Sequence, residues 1–253
     1  MGTYSNGSGR VKTARRVFDI VELVSDSDGV STLEVADELD VAKSTAHGYL
    51  LTLEEQGWLV RDDERFRLGS TFLKYGRLTR EQHGVLETIE PTLEWCADRT
   101  EETVWYTAEE QGTAVYLEKK TGSRAARTNG EIGKRAPLHA SACGKAILAA
   151  QPDSRLEELT LAAYTPATIT SHERLREEIE AVRNSGVAYN DGETTSGLRA
   201  VACPIRHEGH VVGAISVSGP EKRFTDDRYR ERLPALLGGA ANEIELNLSD
   251  RSF

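Results

Sequence analysis

The stretch STLEVADELDVAKSTAHGYLLTLEEQG, residues 31–57, decides the fold of the N-terminal part of the chain. Ser31 and Glu34 have the Ser-x-x-Glu spacing of a capping box, which starts a helix. The buried stripe of this helix is predicted to be Leu33, Val35, Ala36 and Leu39. After a short break at residues 40–42, a third helix is predicted from Lys43 to about Gln56, and Gly57 ends it as a left-handed cap.

The flanking segments complete a known motif. Upstream, a helix is predicted from Val11 to the loop at residues 25–29, with these apolar positions on its inner face: Ala14, Val17, Phe18, Val21, Leu23 and Val24. Downstream, residues 58–60 and 65–68 read as two short strands around a polar turn. Helix, helix, turn, helix and two-stranded ribbon in this order predict a winged helix-turn-helix over residues 10–69.

The third helix of this motif has two distinct faces. Ala46, Leu50 and Leu53 share one face and are expected to pack inward, so the opposite face presents small polar groups. Hydroxyls, an imidazole and the helix N-terminus suit base edges and phosphates. The residues predicted to contact DNA are Arg10, Lys12, Arg15, Arg16, Lys43, Ser44, Thr45, His47, Arg61, Arg65 and Arg67. A protein-contact module with a solvated polar face is the alternative interpretation of the same spacing.

The rest of the chain predicts a second domain. Residues 1–9, rich in Gly and Ser, are expected to be a disordered leader, and residues 70–95 a linker helix with a break near Gly84. Residues 96–253 alternate strands and helices: hairpins over 104–117 and 201–217, a helix over 141–150, a helix capped at Thr170 and Glu173, and a final helix from Tyr229 to Leu248. The fold class is therefore predicted to be α+β.

Composition limits the class of protein. The net charge of −10 is unfavourable for phosphate contacts, but DNA binding depends on where the basic residues sit. The acidic surplus comes with few lysines and many arginines, which resembles proteins of salt-loving organisms, halophilic archaea included. No run approaches the ~18 apolar residues of a membrane span, and the N-terminus has no apolar signal core, so a cytoplasmic protein is expected. Three cysteines without a Cys-x-x-Cys pair do not make a disulfide scaffold or a zinc ribbon.

Several motifs, in order along nearly the whole chain, resemble the IclR family of transcriptional regulators. They are RRVFDI at 15–20, KSTAH at 43–47, LEEQG at 53–57, FRLG at 66–69, LHASACGKA at 138–146, CPI at 203–205 and SVSGP at 216–220. The resemblance implies that the second domain is a GAF/PAS-like antiparallel-sheet effector domain. It also exposes a departure: Gly48 stands where the family usually carries an arginine or a similar residue.

Carried over by position, the resemblance implies a small-molecule effector pocket. Its expected residues are Ala136, Ala142, Cys143, Asp191, Glu193, Cys203, Ser216 and Ser218. A small organic acid or sugar acid is the expected ligand, since hydroxyls and N–H groups bind carboxylate oxygens. Asp191 has an alternative role as a turn former, and Cys203 as a small core residue.

Two other functions stay open at this point. His139, Cys143 and Cys203 together are candidate ligands for zinc or a thiol-redox site, and the pair Cys143 and His139 is a candidate nucleophile and base of an enzyme. Against both, no third orienting group is evident in the sequence, so a regulator without catalytic activity is the main prediction. Two-fold operators favour a symmetric dimer, or a dimer of dimers, with the linker helix as its contact.

Overall fold

A computed structural model describes residues 11–126 and 130–250. The chain divides into two compact units, with the division between Gln82 and His83. The leader at 1–9 and Arg10 lie outside the described residues. Among the helices of the described residues, none combines the length and the hydropathy of a membrane span.

The first unit contains four helices and a two-stranded sheet in its described residues. They are α1 (Lys12–Ser25), α2 (Thr32–Glu38), α3 (Lys43–Glu55), β1 (Leu59–Asp62), β2 (Arg65–Leu68) and α4 (Thr71–Gln82). The capping box at α2 is confirmed in both directions: Glu34 N–H donates to Ser31 Oγ at 3.3 Å, and Ser31 N–H donates to the Glu34 carboxylate at 2.6 Å. Gly57 follows α3 with φ 74°, as expected of a left-handed cap.

The apolar stripe predicted for α1 is partly wrong. Ile20 and Val24 are the buried residues of α1, whereas Phe18 is 68% exposed. Successive residues of a helix are about 100° apart, so the stripe that contains Val17, Ile20 and Val24 leaves Phe18 outside it. Leu33, predicted to be buried, is likewise exposed on α2.

The second unit is built on a six-stranded antiparallel sheet. Its elements are α5 (Leu86–Thr100), β3 (Thr103–Glu110), β4 (Thr113–Thr121), β5 (Arg135–Ala136), α6 (Ala142–Leu148), α7 (Ser154–Glu157), α8 (His172–Ser185), β6 (Ala188–Asp191), β7 (Leu198–His207), β8 (His210–Pro220) and α9 (Leu233–Ser249). The strand order is β5-β4-β3-β8-β7-β6. Core residues of α5 and α9 pack on one face and those of α6 and α8 on the other, so each face has its own apolar core. The α+β fold class is confirmed.

Turn and cap chemistry explains the main boundaries of this unit. The β7–β8 hairpin turns at Glu208 and Gly209, both with positive φ, as a two-residue type I′ turn requires. The cap of α8 is Ser171, whose Oγ accepts from Arg174 N–H, and not Thr170 as predicted. The predicted linker is two helices, because α4 ends at Gln82 and α5 begins at Leu86.

Candidate DNA-binding surface and ligand cavity

The first turn of α3 presents the polar face that the sequence predicted. Lys43, Ser44 and Thr45 are exposed, and so is His47. On the opposite face, Ala46, Leu50 and Leu53 are buried in the core of the unit, as predicted. The apolar face therefore fixes the orientation of α3 and leaves its polar face to solvent.

The N-terminus of α3 has no side-chain cap. Ala42 precedes the helix, and its carbonyl accepts from the N–H groups of Thr45 and Ala46. The earliest N–H groups of a helix have no intrahelical acceptor, and here no side chain replaces one. They are available to a phosphate oxygen, which the helix dipole also favours.

Basic side chains of α1 add positive charge to this unit. Lys12 and Arg15 are exposed, and Arg16 is half-buried. No ion pair joins any of these three to another described residue. Their charges are thus not neutralised within the described chain, which suits contacts with a phosphate backbone.

The arginines of the wing, by contrast, have partners inside the unit. Arg65 donates to the Gly29 carbonyl and lies 3.3 Å from the Glu34 carboxylate. Arg67 pairs with Asp62 at 3.0 Å, and Arg61 Nε donates to the Asp63 carbonyl at 2.9 Å. Contact between these arginines and DNA would require an exchange of these partners for phosphates.

Gly48 in α3 gives a prediction on stability. A Cβ atom added there would meet no atom within 4 Å, so Gly48→Ala gains helix propensity without a clash. We expect α3 to be stabilised by about 0.5–1 kcal/mol, measured as slower hydrogen exchange of its amides. Gly144→Ala is the contrasting variant and should destabilise the protein, because the added Cβ atom would lie 2.5 Å from the Leu138 backbone. A destabilised Gly48→Ala protein would contradict the prediction.

A cavity of about 220 Å³ opens on the α6 face of the sheet in the second unit. Trp105 and Tyr116 form an aromatic wall, with ring centroids 4.6 Å apart. Ser216 and Ser218 of β8 line the cavity next to this wall, since Trp105 lies opposite Ser216 in the sheet register. Ser218 Oγ accepts from the Trp105 indole N–H at 3.2 Å. Ser216 is only 4% exposed, and its side-chain hydroxyl has no hydrogen-bond partner among the described residues.

The charges around the cavity favour a neutral or anionic ligand. Its described lining contains no Asp or Glu, and its cationic residues are Lys134 and Arg135. The Arg135 guanidinium pairs with the Glu110 carboxylate at 3.1 Å and donates to Thr113 Oγ1. Neutral donors such as the hydroxyls of Ser216 and Thr195 therefore supply most of the polar lining.

Five of the eight predicted pocket residues line the cavity. They are Ala136, Ala142, Cys143, Ser216 and Ser218. Asp191 does not, because Arg199 binds both of its carboxylate oxygens at 2.7 and 3.0 Å. Glu193 is buried in an ion pair with Lys145. Cys203 lies in the core on the opposite face of the sheet, among residues of α5 and α9.

The residues of the candidate metal or thiol site do not lie together in the structure. Cys143 and Cys203 lie in the cores on opposite faces of the sheet. Burial raises the pKa of both thiols, that of Cys203 to about 12, so neither is a thiolate near neutral pH. His139 Nε2 donates to the Ala162 carbonyl at 3.0 Å, and burial lowers its pKa. Within residues 11–126 and 130–250, no group of three His, Cys, Asp or Glu side chains is arranged to hold a metal.

Sequence reasoning missed most of the cavity wall. Trp105, Tyr116, Tyr164, Thr194 and Thr195 line the cavity, and none was predicted. Trp105 lies between Val104 and Tyr106 in β3, and both of these belong to the core beside α5. Successive side chains of a strand point to opposite faces of the sheet, so Trp105 lies on the face away from that core. The pairing of β3 with β8, which brings it to Ser216, is a long-range contact with no local signal.

A winged helix-turn-helix in one chain with a cavity-bearing sheet domain is typical of DNA-binding regulators with a second domain. The IclR helix-turn-helix domain model matches residues 13–63, and the model of the bacterial transcriptional regulator IclR C-terminal domain matches residues 78–246. The chain belongs to the IclR family and is a DNA-binding transcriptional regulator.

Individual relatives agree with this assignment. The chain is 30% identical over 248 residues to the probable HTH-type transcriptional regulator ArcR of Halobacterium salinarum, covering 94% of each. It is 30% identical to the transcriptional repressor IclR of Escherichia coli, covering 94% of this chain and 90% of that one. Both relatives are named as transcriptional regulators.

Solved structures show the same fold. The Thermotoga maritima IclR superposes with a TM-score of 0.81 at 29% identity, over 94% of this chain and 99% of that one. An IclR homolog of Microbacterium hydrocarbonoxydans complexed with 4-hydroxybenzoate superposes with a TM-score of 0.80 at 25% identity, over 94% of this chain and 99% of that one. A small-molecule ligand is thus bound by a relative with this fold.

Proposed function

We propose that this regulator is controlled by a small organic acid or sugar acid that binds in the cavity beside Trp105 and Ser216. The observation that carries the proposal is the cavity itself, with an aromatic wall, buried hydroxyls and no carboxylate among its described lining residues. Its volume of about 220 Å³ is below the ~300–1,000 Å³ of sites for drug-sized ligands, which suits a small metabolite. The complex of a relative with 4-hydroxybenzoate supports a small carboxylate as the ligand.

The proposed DNA-binding surface combines α3, the start of α1 and the wing. Its residues are those predicted from the sequence: Arg10, Lys12, Arg15, Arg16, Lys43, Ser44, Thr45, His47, Arg61, Arg65 and Arg67. We assign base contacts to Thr45 and His47, and phosphate contacts to the uncapped end of α3 and the α1 cations. The winged helix-turn-helix is assigned to residues 10–69. Of the linker expected over residues 70–95, α4 remains the linker, whereas α5 is assigned to the sensing domain expected over 96–253, because Leu86, Ile89 and Leu93 are buried in the core of that domain. The protein acts where chromosomal DNA is, in the cytoplasm.

A homodimer, or a dimer of dimers, is the proposed assembly, with α4 as a contact between copies. No residue of α4 is buried, although it carries Leu73, Tyr75 and Leu78, which are 76%, 45% and 38% exposed. A single copy leaves these apolar side chains in water, and a two-fold partner would cover them. Ligand control then requires that the ligand bind the DNA-bound and free states with different affinities.

The test of ligand control uses the full chain and its own upstream intergenic DNA. Mobility-shift titrations are run with benzoate, 4-hydroxybenzoate or gluconate, which represent organic and sugar acids. A selective shift whose midpoint moves with one of these probes supports the proposal. Selective binding that no probe alters, in a protein that binds none of them by calorimetry, contradicts the proposed ligand class.

Ser216→Ala gives the matching prediction on the pocket. It removes a buried hydroxyl that has no partner within the described protein, so folding and ligand-free DNA binding should not change. The affinity for the active probe should fall by roughly 10- to 150-fold, since a hydrogen bond to a charged group contributes about 1.5–3 kcal/mol. Thr160→Ala, at an exposed position outside the cavity lining, is the control and should leave probe binding unchanged. Equal probe affinities in wild type and Ser216→Ala would exclude a contact with this hydroxyl.

A further inference from the structure

Lys145 is a buried cation that belongs neither to the proposed DNA-binding surface nor to the lining of the cavity. Its side chain is 1% exposed, and its Nζ lies 2.7 Å from Glu193 Oε1 and 2.9 Å from Glu178 Oε1. An ammonium group removed from water is tolerated only with such partners, so the position of Glu193 is tied to that of α6.

The backbone and the carboxylate of Glu193 are both held by hydrogen bonds. Its N–H donates to Asn190 Oδ1 at 2.9 Å, its carbonyl accepts from Thr168 Oγ1 at 2.7 Å, and its carboxylate binds Lys145. Its second carboxylate oxygen, Oε2, is buried without a hydrogen-bond partner. The side chain is therefore held in a costly environment, which Lys145 offsets.

The ion pair joins two walls of the cavity without lining it. Ala142 and Cys143, in the first turn of α6 ahead of Lys145, form one wall, and Thr194 and Thr195, directly after Glu193, form another. The Lys145–Glu193 ion pair therefore connects the elements that carry these two walls.

We propose that Lys145 and Glu193 are positioning residues that set ligand affinity by clamping the 192–197 loop against α6. This rests on the proposed ligand role of the cavity. Neither side chain lines the cavity, so both act through the walls that they hold. Glu178 completes the neutralisation of Lys145 from α8 but is 32% exposed and lies outside the loop.

The test compares Lys145→Met, Glu193→Met and the double Met variant with wild type. Lys145→Met leaves the buried Glu193 carboxylate without a partner, and Glu193→Met leaves Lys145 with Glu178 as its remaining partner, so each single change lowers the melting temperature. The double change removes both buried charges and restores most of it, because the Glu178 carboxylate that it leaves behind is 32% exposed and keeps contact with water. In the double variant we expect amides of residues 192–198 to exchange about tenfold faster, which equals the loss of one strong hydrogen bond. We expect the dissociation constant for the active probe, 4-hydroxybenzoate or gluconate, to rise by a similar factor. Glu178→Gln, the control, should leave loop exchange and probe affinity nearly unchanged.

A purely structural role predicts a different pattern. Loop exchange and probe affinity would then recover together with the melting temperature in the double variant, and that result would overturn the proposal. A wild-type protein that binds none of the probes contradicts the proposed ligand class. In that case loop exchange in the double variant still decides whether the ion pair clamps the loop.

Discussion

Replacing Glu102 by Leu is expected to lower the free energy of unfolding of the second unit by about 3 kcal/mol, the lower end of the range for a broken buried ion pair. Glu102 is 1% exposed and precedes β3. Both of its oxygens accept from Arg223, at 2.6 and 2.5 Å, and Arg228 lies 3.7 Å away. These arginines belong to the segment between β8 and α9, so the carboxylate attaches that segment to the start of the sheet.

The loss is large because both arginines remain behind. Each is only 25% exposed, so each would keep a partly desolvated charge without its carboxylate. Urea unfolding in a Trp58→Phe background, followed by the fluorescence of Trp95 and Trp105, reports on the second unit. If Glu102→Leu shifted the urea midpoint no more than the loss of an exposed ion pair does, Glu102 would not have this stabilising role.

An exposed pair of similar geometry is the control. Arg176 Nη2 lies 2.6 Å from Glu157 Oε1, but the two side chains are 47% and 53% exposed. Water and salt screen such a pair, so Glu157→Ala should shift the urea midpoint only slightly. The contrast between the two variants mainly reports burial, because the shortest nitrogen–oxygen distances of the two pairs, 2.5 and 2.6 Å, are nearly equal.

The sequence was sufficient for the parts of the fold that depend on local chemistry. The Ser31–Glu34 capping box, the left-handed Gly57 and the inward Ala46, Leu50 and Leu53 follow from spacing within one or two helical turns. Each of these signals acts over a few residues, and no long-range contact is needed to interpret it. For the same reason the polar face of α3 was predictable.

Cys203 shows why the cavity was harder to predict. Counting from the two-residue turn, where His207 faces His210, would place Cys203 opposite Ala214 and on the face of Ser216. A bulge between Ile205 and Arg206 shifts the register by one, so Cys203 faces Ile215. A shift of one residue moves every side chain beyond it to the other face of the sheet. Nothing in the local sequence predicts this bulge.

Asp191 and Glu193 were misplaced for a related reason. Asp191 lies opposite Arg199 in the pairing of β6 with β7, where the two form a cross-strand ion pair. Glu193 pairs with Lys145, 48 positions earlier. Both partners are defined by tertiary structure, while the neighbouring Thr194 and Thr195, in a loop without alternation, line the cavity.

Thr45→Ala and Lys43→Ala should weaken DNA binding in two distinguishable ways. If Thr45 binds a base edge, its removal should reduce affinity for the selective site by about 1–3 kcal/mol, which is roughly 5- to 150-fold, and leave binding to random DNA unchanged. If Lys43 binds a phosphate, its removal should weaken binding to both and reduce the slope of log K against log salt by about 0.9. Both side chains are exposed on the first turn of α3, so the fold should survive either change.

Mobility-shift titrations at several salt concentrations separate the two effects. The selective fragment and a random fragment of equal length are titrated in parallel, with Thr160→Ala as the control of the same residue type at an exposed position of the second unit. If Thr45→Ala lowered the affinity for both fragments equally and changed the salt slope, Thr45 would bind the DNA backbone. Discrimination between the two sequences would then depend on His47 and the wing. If neither variant changed binding while selectivity persisted, the recognition surface would lie away from the N-terminus of α3. The salt slope thus tests the assignment of roles within α3 as well as DNA binding itself, because only phosphate contacts release counterions.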